Sequence, residues 1–364
     1  MGAGHQKCHG TVNVQHLRWV DAEYFGRGFS SGEAGVFQVE IVEDLLSVEK
    51  FGGFDRMFAP TQLTLGVFFA IESYSGSIPK MEHQVALAKR AEALDFAALW
   101  FRDVPLYDPN FGDVGQIYDT WVYLGYIAAQ TSRIALATGS VVFPLRHPVH
   151  LAKAASSIDV LSGGRLVLGV ASGDRPVEYP AFNIDFTTRG ERFRETLHYF
   201  RTALDTSFPA IDSPLGQFNG VDLIPKPHGE RIPALITGRS QQSLEWIAEN
   251  GDGWITYPRS LDQQAGMVNS WRELTKNAPG GFKPFSQSLY IDLVEDPGAP
   301  PRPIHLGFRS GRNHLIEFLG ASREVGVNHI ALNLKYGTRP AVDVLEEIGQ
   351  EVLPFFPSQP REAV

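Results

Sequence analysis

Residues 134–171 read IALATGSVVFPLRHPVHLAKAASSIDVLSGGRLVLGVA. The stretch opens on a run of small and apolar residues, 134–142, that predicts a strand. Residues 149–161 follow, with Ala152, Ala155, Ile158 and Leu161 at a three-residue step, which is one face of a helix. Gly163 and Gly164 make a turn. LVLGVA at 166–171 is a continuous apolar run, the pattern of a strand buried on both faces. Strand, helix and strand in one short span imply two parallel strands joined by a helical crossover.

The same alternation continues in both directions. Strands are predicted at 63–71 (LTLGVFFAI), 97–101 (AALWF), 134–142, 166–171, 232–236, 253–256, 287–294 and 329–334 (HIALNL). Helices are predicted at 79–94, 119–130, 149–161, 189–204, 241–249, 261–276, 311–325 and 342–352. Eight strands alternating with eight helices predict an α/β chain folded as a (β/α)8 TIM barrel. A doubly wound open sheet is the rival, but it usually carries a Gly-rich turn after its first strand, and residues 72–78 contain no GxGxxG.

Two stretches interrupt the rhythm. Residues 205–231 hold Pro209, Pro214, Pro225 and Pro227, and residues 295–303 read EDPGAPPRP. Loops of this kind inside a barrel are lids, functional insertions or plain solvated connections. Residues 1–55 belong to no repeat and read as an N-terminal extension, either poorly ordered or a short element packed outside, with the barrel domain at 56–364.

Composition narrows the function. The 364 residues include 32 Lys or Arg and 41 Asp or Glu, a formal charge of −9. Phosphate backbones and anionic membranes need a basic face, so neither nucleic acid nor membrane is an expected partner. The single cysteine, Cys8, permits no intrachain disulfide and no Cys-based zinc site, which suits a reducing compartment. No apolar run approaches the ~20 residues of a membrane helix. The N-terminus lacks a signal-peptide core, so a cytoplasmic location is expected.

Barrel sites lie at the C-terminal ends of strands. After the second strand stand Arg102 and Asp103, read as a ligand contact, an acid or base, or a self-satisfied rim pair. After the third, Gly139 and Ser140 let backbone approach a flat ligand. His147 and His150 lack a third ligand nearby and read as capping or packing residues, so no metal site is expected. After the fourth come Ser172, Gly173, Asp174 and Arg175; Arg175 meets either an anion or Glu178. Arg189, Arg192 and Arg194 open the next helix. After the fifth, the Gly238–Arg239–Ser240 turn and Ser243 precede a helix, an arrangement suited to phosphate.

These residues carry a resemblance. The run TGSVVFPLRHPVHLAKAASSIDVLSGGRLVLGVASGDRP, the helix RGERFRETL and the stretch ITGRSQQSLEWIAENGDGWI are similar to the bacterial luciferase-like superfamily of flavin-dependent oxidoreductases. The resemblance covers about four-fifths of the chain, from 63 to 354. It implies FMN at the barrel mouth, with a non-proline cis peptide at Ser140–Val141 under the flavin ring, Gly173 and Asp174 lining it, and Arg192 or Arg189 on the phosphate. Gly238, Arg239, Ser240 and Ser243 would complete the phosphate cradle. It further implies a monooxygenase that takes reduced FMN from a partner reductase, uses dioxygen and oxidises a small organic substrate, commonly as a homodimer. F420-dependent hydride transfer and a non-catalytic flavin-binding barrel are the alternatives; −9 leans toward FMN, because the tail of F420 is acidic. Luciferases place Glu-His-His after the second strand, whereas this chain has Arg102, Asp103 and Val104, so Asp103 is only a candidate catalytic residue and light emission is not expected.

Overall fold

The computed structural model describes residues 52–358; the readings made for residues 1–51, Cys8 included, lie outside the described residues. Eight parallel strands close into a barrel: β1 (Thr64–Phe68), β2 (Ala98–Phe101), β3 (Ala135–Thr138), β5 (Leu166–Ala171), β8 (Ala234–Thr237), β9 (Gly253–Thr256), β10 (Phe285–Leu293) and β13 (His329–Asn333), with β13 pairing back onto β1. Between them run α2 (Gln84–Ala93), α3 (Thr120–Ala128), α4 (Pro148–Ser162), α5 (Arg189–Asp205), α6 (Leu244–Asn250), α7 (Leu261–Thr275), α8 (Arg312–Glu324) and α9 (Ala341–Glu347). A short α1 (Gly53–Met57) precedes β1 and spans the 55/56 position where the extension was expected to end. Its Gly53 N–H donates to Gly164 O at 2.8 Å.

The continuous apolar runs are explained by two separate layers. Outward residues such as Leu65, Val67, Leu99, Phe101, Leu136 and Leu168 pack under the helices. Inward residues are smaller: Ala98, Ala135, Ala137 and Ala331 surround Phe68 and Trp100. A barrel of eight strands has room inside for side chains alone, so one large ring must be matched by small neighbours. A Cβ on Gly66 would lie 2.7 Å from Trp100 Nε1 and 2.8 Å from His329 Nε2. Trp100 Nε1–H donates to His329 Nε2 at 2.9 Å, so His329 carries its proton on Nδ1 and donates to Thr64 Oγ1 at 2.7 Å. Thr64 in turn donates to Met57 O at 2.6 Å.

Several boundaries differ from the sequence reading, each for a local reason. The strand predicted at 134–142 is two pieces, because the Thr138 side chain exchanges hydrogen bonds with Gly169 N (2.9 Å) and Gly169 O (2.8 Å) where a ladder rung would be. The chain then re-pairs with β5 as β4 (Val141–Val142). Helix α2 begins at Gln84, after Met81 (φ 61°) and His83 (φ 56°) in the left-handed region. Helix α6 begins at Leu244, after Ser240 (φ 44°) and Gln241 (φ 62°). The last helix ends in a π turn, Ile348–Val352.

The two insertions lie in different places. Residues 205–231 carry the hairpin of β6 (Ile211–Ser213) and β7 (Gly216–Phe218) and fasten to α4, where His228 N–H donates to Asp159 (2.8 Å) and Lys153 bonds to Ile224 O. The second extends past 303 into a hairpin of β11 (Arg302–Ile304) and β12 (Gly307–Ser310), and β12 pairs in parallel with the outer half of β10. Among the described residues, no helix is long and apolar enough to cross a membrane.

Burial holds the His329 imidazole neutral, at about 3. The unfolded chain takes up a proton near 6.5 that the folded one refuses, so this stabilisation is complete above 6.5 and is lost as pH falls toward 3. Urea unfolding at pH 6.5 and 5.0 is expected to show a loss of about 2 kcal/mol from this group. A His329→Gln variant, less stable at neutral pH, should lack that part of the slope; an unchanged slope would exclude His329 as its source.

Candidate active site

Two adjoining cavities occupy the C-terminal mouth of the barrel. The first, of about 300 Å³, is lined by the ends of β2, β3, β5 and β8, including Ser140, Gly173, Asp174, Glu178, Gly238, Arg239 and Ser240. The second, of about 340 Å³, is floored by Phe68 and Trp100 and walled by Phe111, Tyr257, Tyr290, His305 and Tyr336. Gly139, Ser140, Asp174, Arg175 and Thr237 face both.

The two charged residues after β2 do not pair with each other. Asp103 is buried and accepts from Thr120 Oγ1 (3.1 Å), Val142 N–H (3.1 Å) and Arg146 Nη2 (2.6 Å). One carboxylate therefore ties β2 to α3, to β4 and to the segment before α4. All of its nearby donors are structural, which leaves it without a free oxygen for proton transfer. Arg102 instead pairs with Asp113, as do Lys335 (3.0 Å) and Tyr74 Oη (3.1 Å). Burial pushes the Asp113 carboxyl up, but Arg102 and Lys335 outweigh it and hold it below the usual carboxylate range. Arg175 donates to Asp113 O at 2.9 Å and stacks over Phe111 at 4.6 Å. Lys335, at the end of β13, also donates to Gly76 O at 2.8 Å and so is a tie across the mouth.

The segment after β3 is placed differently from expectation. The non-proline cis peptide is at Gly139–Ser140, one bond before the Ser140–Val141 position, and a second is at Phe69–Ala70. Val141 is already extended and registers against Val170, so the bond preceding it leads straight into a strand ladder. Val141 is wholly buried and lines neither cavity, whereas Ser140 lines both and hydrogen-bonds Thr237 Oγ1. A Cβ on Gly139 would lie 3.1 Å from the rings of Phe68 and Trp100, a tight contact that glycine avoids.

The loops after β5 and β8 are locked together. Ser240 donates to Thr237 O (2.9 Å) and accepts from Ser172 N–H (3.2 Å), so its hydroxyl is engaged inside the protein. Gly173, at φ 77°, sits where a Cβ would meet Val142 Cγ1 at 2.8 Å and Tyr179 Oη at 2.9 Å. Gly238, at φ 56°, would meet nothing within 4 Å, and its open side faces the first cavity. Trp254 Nε1–H holds the Gly238 carbonyl at 2.7 Å, and the exposed Arg239 guanidinium lies 5.9 Å over the Trp254 ring.

Three expected residues are not at the cavity wall. Arg192 donates to Pro144 O at 2.8 Å. Ser243 is spent as the N-cap of α6, accepting from Trp246 N–H at 3.2 Å. Val141 is the third. His147 caps α4 by accepting from Val149 N–H at 3.2 Å, with His150 stacked edge-on at 6.0 Å.

A family model described as luciferase-like monooxygenase matches residues 62–289. The chain belongs to the luciferase-like monooxygenase family. An uncharacterized Mycobacterium tuberculosis protein is 36% identical over 146 residues, 40% of this chain and 51% of that protein, so the chain spans about half the length of that relative. An F420-dependent secondary alcohol dehydrogenase in complex with an F420–acetone adduct superposes with a TM-score of 0.68 at 15% identity, over 81% of this chain and 99% of that one. The oxygenating constituent of 3,6-diketocamphane monooxygenase from Pseudomonas putida, in complex with FMN, superposes at 0.63 and 15%, over 80% and 98%. At these identities the superpositions speak for the fold alone.

In this luciferase-like chain the second cavity went unread from sequence. Tyr290, His305 and Tyr336 form a ring triangle, with centroids 5.6, 5.2 and 6.1 Å apart, drawn from β10, the β11–β12 hairpin tip and the segment after β13. The β10–β13 pairing sets the two tyrosines side by side, and the pairing of that hairpin with β10 brings His305 to them. Residues 205–231 contribute to neither mouth cavity.

Because Asp103 is bonded on all sides, Asp103→Asn should act on stability first. Removing one partner of a buried charged pair costs about 3 kcal/mol or more, and the amide retains part of that. A melting temperature lowered by several degrees is expected; an unchanged one would mean the Arg146 pair contributes nothing.

Proposed function

We propose that this chain binds FMN in the first cavity and is a monooxygenase that takes reduced flavin from a separate reductase and oxidises a small organic substrate held in the second. The observation that carries the reading is the charge arrangement at the mouth. Arg102 is ion-paired with the Asp113 carboxylate, whereas Arg175 donates to the Asp113 backbone carbonyl and stacks over Phe111. Arg239 is bonded to no carboxylate among the described residues and lines the cavity beside the open Gly238 turn. A cation beside exposed backbone suits a phosphate. A long acidic tail, as on F420, would call for more.

The residues present fit such a group. Gly139 keeps the backbone flat against Phe68 and Trp100, Gly238 leaves open space, and the buried Glu178 Oε1 has no hydrogen-bond partner among the described residues. Arg239 and the 238–240 backbone would hold the phosphate, and Gly139, Ser140, Gly173 and Asp174 the remainder. Bound flavin supplies the two-electron redox chemistry. The chain's own part is positioning and exclusion of water. The Ser240–Ser172 bond fixes one loop against the other, and Phe68, Trp100 and Tyr290 present an apolar floor and wall. A dry, preorganised pocket strengthens every polar contact made within it. We further propose a homodimer, because α3 leaves Val122 (72% exposed) and Tyr126 (54%) bare on one face.

Spectral titration of the purified chain with FMN and with F420 tests the reading. FMN binding tighter than F420 binding is expected; binding of F420 alone would replace the proposal with hydride transfer, and binding of neither would end it. Arg239→Ala should weaken FMN by about tenfold or more, the range of one charge-assisted hydrogen bond. Riboflavin, which lacks the phosphate, should be unaffected. Equal losses for both ligands would move the phosphate elsewhere.

A further inference from the structure

Glu178 stands out among the groups that no role above has used. It lies one turn beyond the β5 loop and is 2% exposed. It faces the first cavity, and its Oε1 has no hydrogen-bond partner among the described residues. Arg175, read as meeting either an anion or Glu178, points instead to Asp113 O and Phe111. A buried polar atom left unpaired is costly, unless a ligand completes it.

We propose that Glu178 is a cofactor-binding residue that is protonated in the loaded protein, its O–H donating to an oxygen acceptor of the bound flavin nucleotide, so that loading takes up one proton. This rests on the FMN reading above. An anionic ligand entering here joins a wall that already carries Asp103 and Asp174. A third carboxylate in its charged form would oppose the phosphate, whereas the neutral acid adds no charge and offers a donor.

The surroundings support this. Burial is the largest influence and raises the carboxyl to about 7, Arg175 works against it, Asp103 adds to it, the Leu106 backbone favours the charged form, and Asp174 raises it again. Of these, Asp103 is already neutralised by Arg146. Tyr179, next in sequence, donates to Ser172 O and is no proton source. The free protein thus holds Glu178 near its midpoint at neutral pH, and an added anion drives it to the acid.

The test is calorimetric titration of FMN into the full chain in buffers of different ionisation enthalpy, with affinity measured from pH 6 to 9. Uptake close to one proton per FMN at pH 8 is expected, with affinity falling about tenfold per pH unit above 7. Glu178→Gln keeps a neutral donor. It should bind FMN at pH 8 about as tightly as the unsubstituted chain does at pH 6, and lose most of the proton uptake. Uptake near zero in the unsubstituted chain overturns the proposal whether or not the variant folds. So does a Gln variant with the same pH slope, or one that binds tenfold worse at pH 6, which would require a charged carboxylate. Failure to bind FMN at any pH would strike the cofactor reading itself, whereas pH-independent binding removes the protonation alone.

Discussion

The volume inside the barrel is the constraint on which the rest depends. Trp100 fills it only because Gly66 has no side chain, and the indole is then fixed by its bond to His329 and, through that ring, to Thr64 and Met57. The same indole is the floor of the second cavity and the surface on which Gly139 rests. A chain of contacts therefore runs from the closed end of the barrel to the backbone that would carry a flat ligand. Displacing Trp100 would disturb core and site together.

Above this floor, two carboxylates divide the work. Asp103 fastens the strand ends to one another, and Asp113 gathers Arg102, Lys335, Tyr74 and Arg175. Asp103 neutralises Arg146, and Asp113 neutralises Arg102 and Lys335 while its backbone carbonyl accepts from Arg175. Arg239, Arg175 and Glu178, whose Oε1 has no hydrogen-bond partner among the described residues, line the first cavity, so its chemistry is defined as much by the charges paired off as by those that remain.

The fold was legible in the sequence because its signal is local. LVLGVA or HIALNL reads as a doubly buried strand whatever lies elsewhere, and eight such runs with helices between them leave one closed arrangement. The site was legible only where backbone freedom showed, at Gly139, Gly173 and Gly238. Side-chain roles depended on distant partners. Asp103 bonds to Arg146 rather than adjacent Arg102, Ser240 turns inward to Thr237 and Ser172, and Arg192 is taken by Pro144. No spacing rule encodes such choices. His305 was hidden for a similar reason: nothing in 295–310 says that β12 will run parallel to β10.

That hairpin has a wider consequence. β12 takes up the edge of β10 at Tyr290–Leu293, past the rungs at Phe285–Gln287 that β9 occupies. No rung of the closed ladder depends on it. The hairpin is thus an addition to a ladder that closes without it, held to the barrel by Arg309 on Asp292 and by Phe308 against Phe318 of α8. What lines the second cavity and what closes the barrel therefore rest on separate rungs of β10.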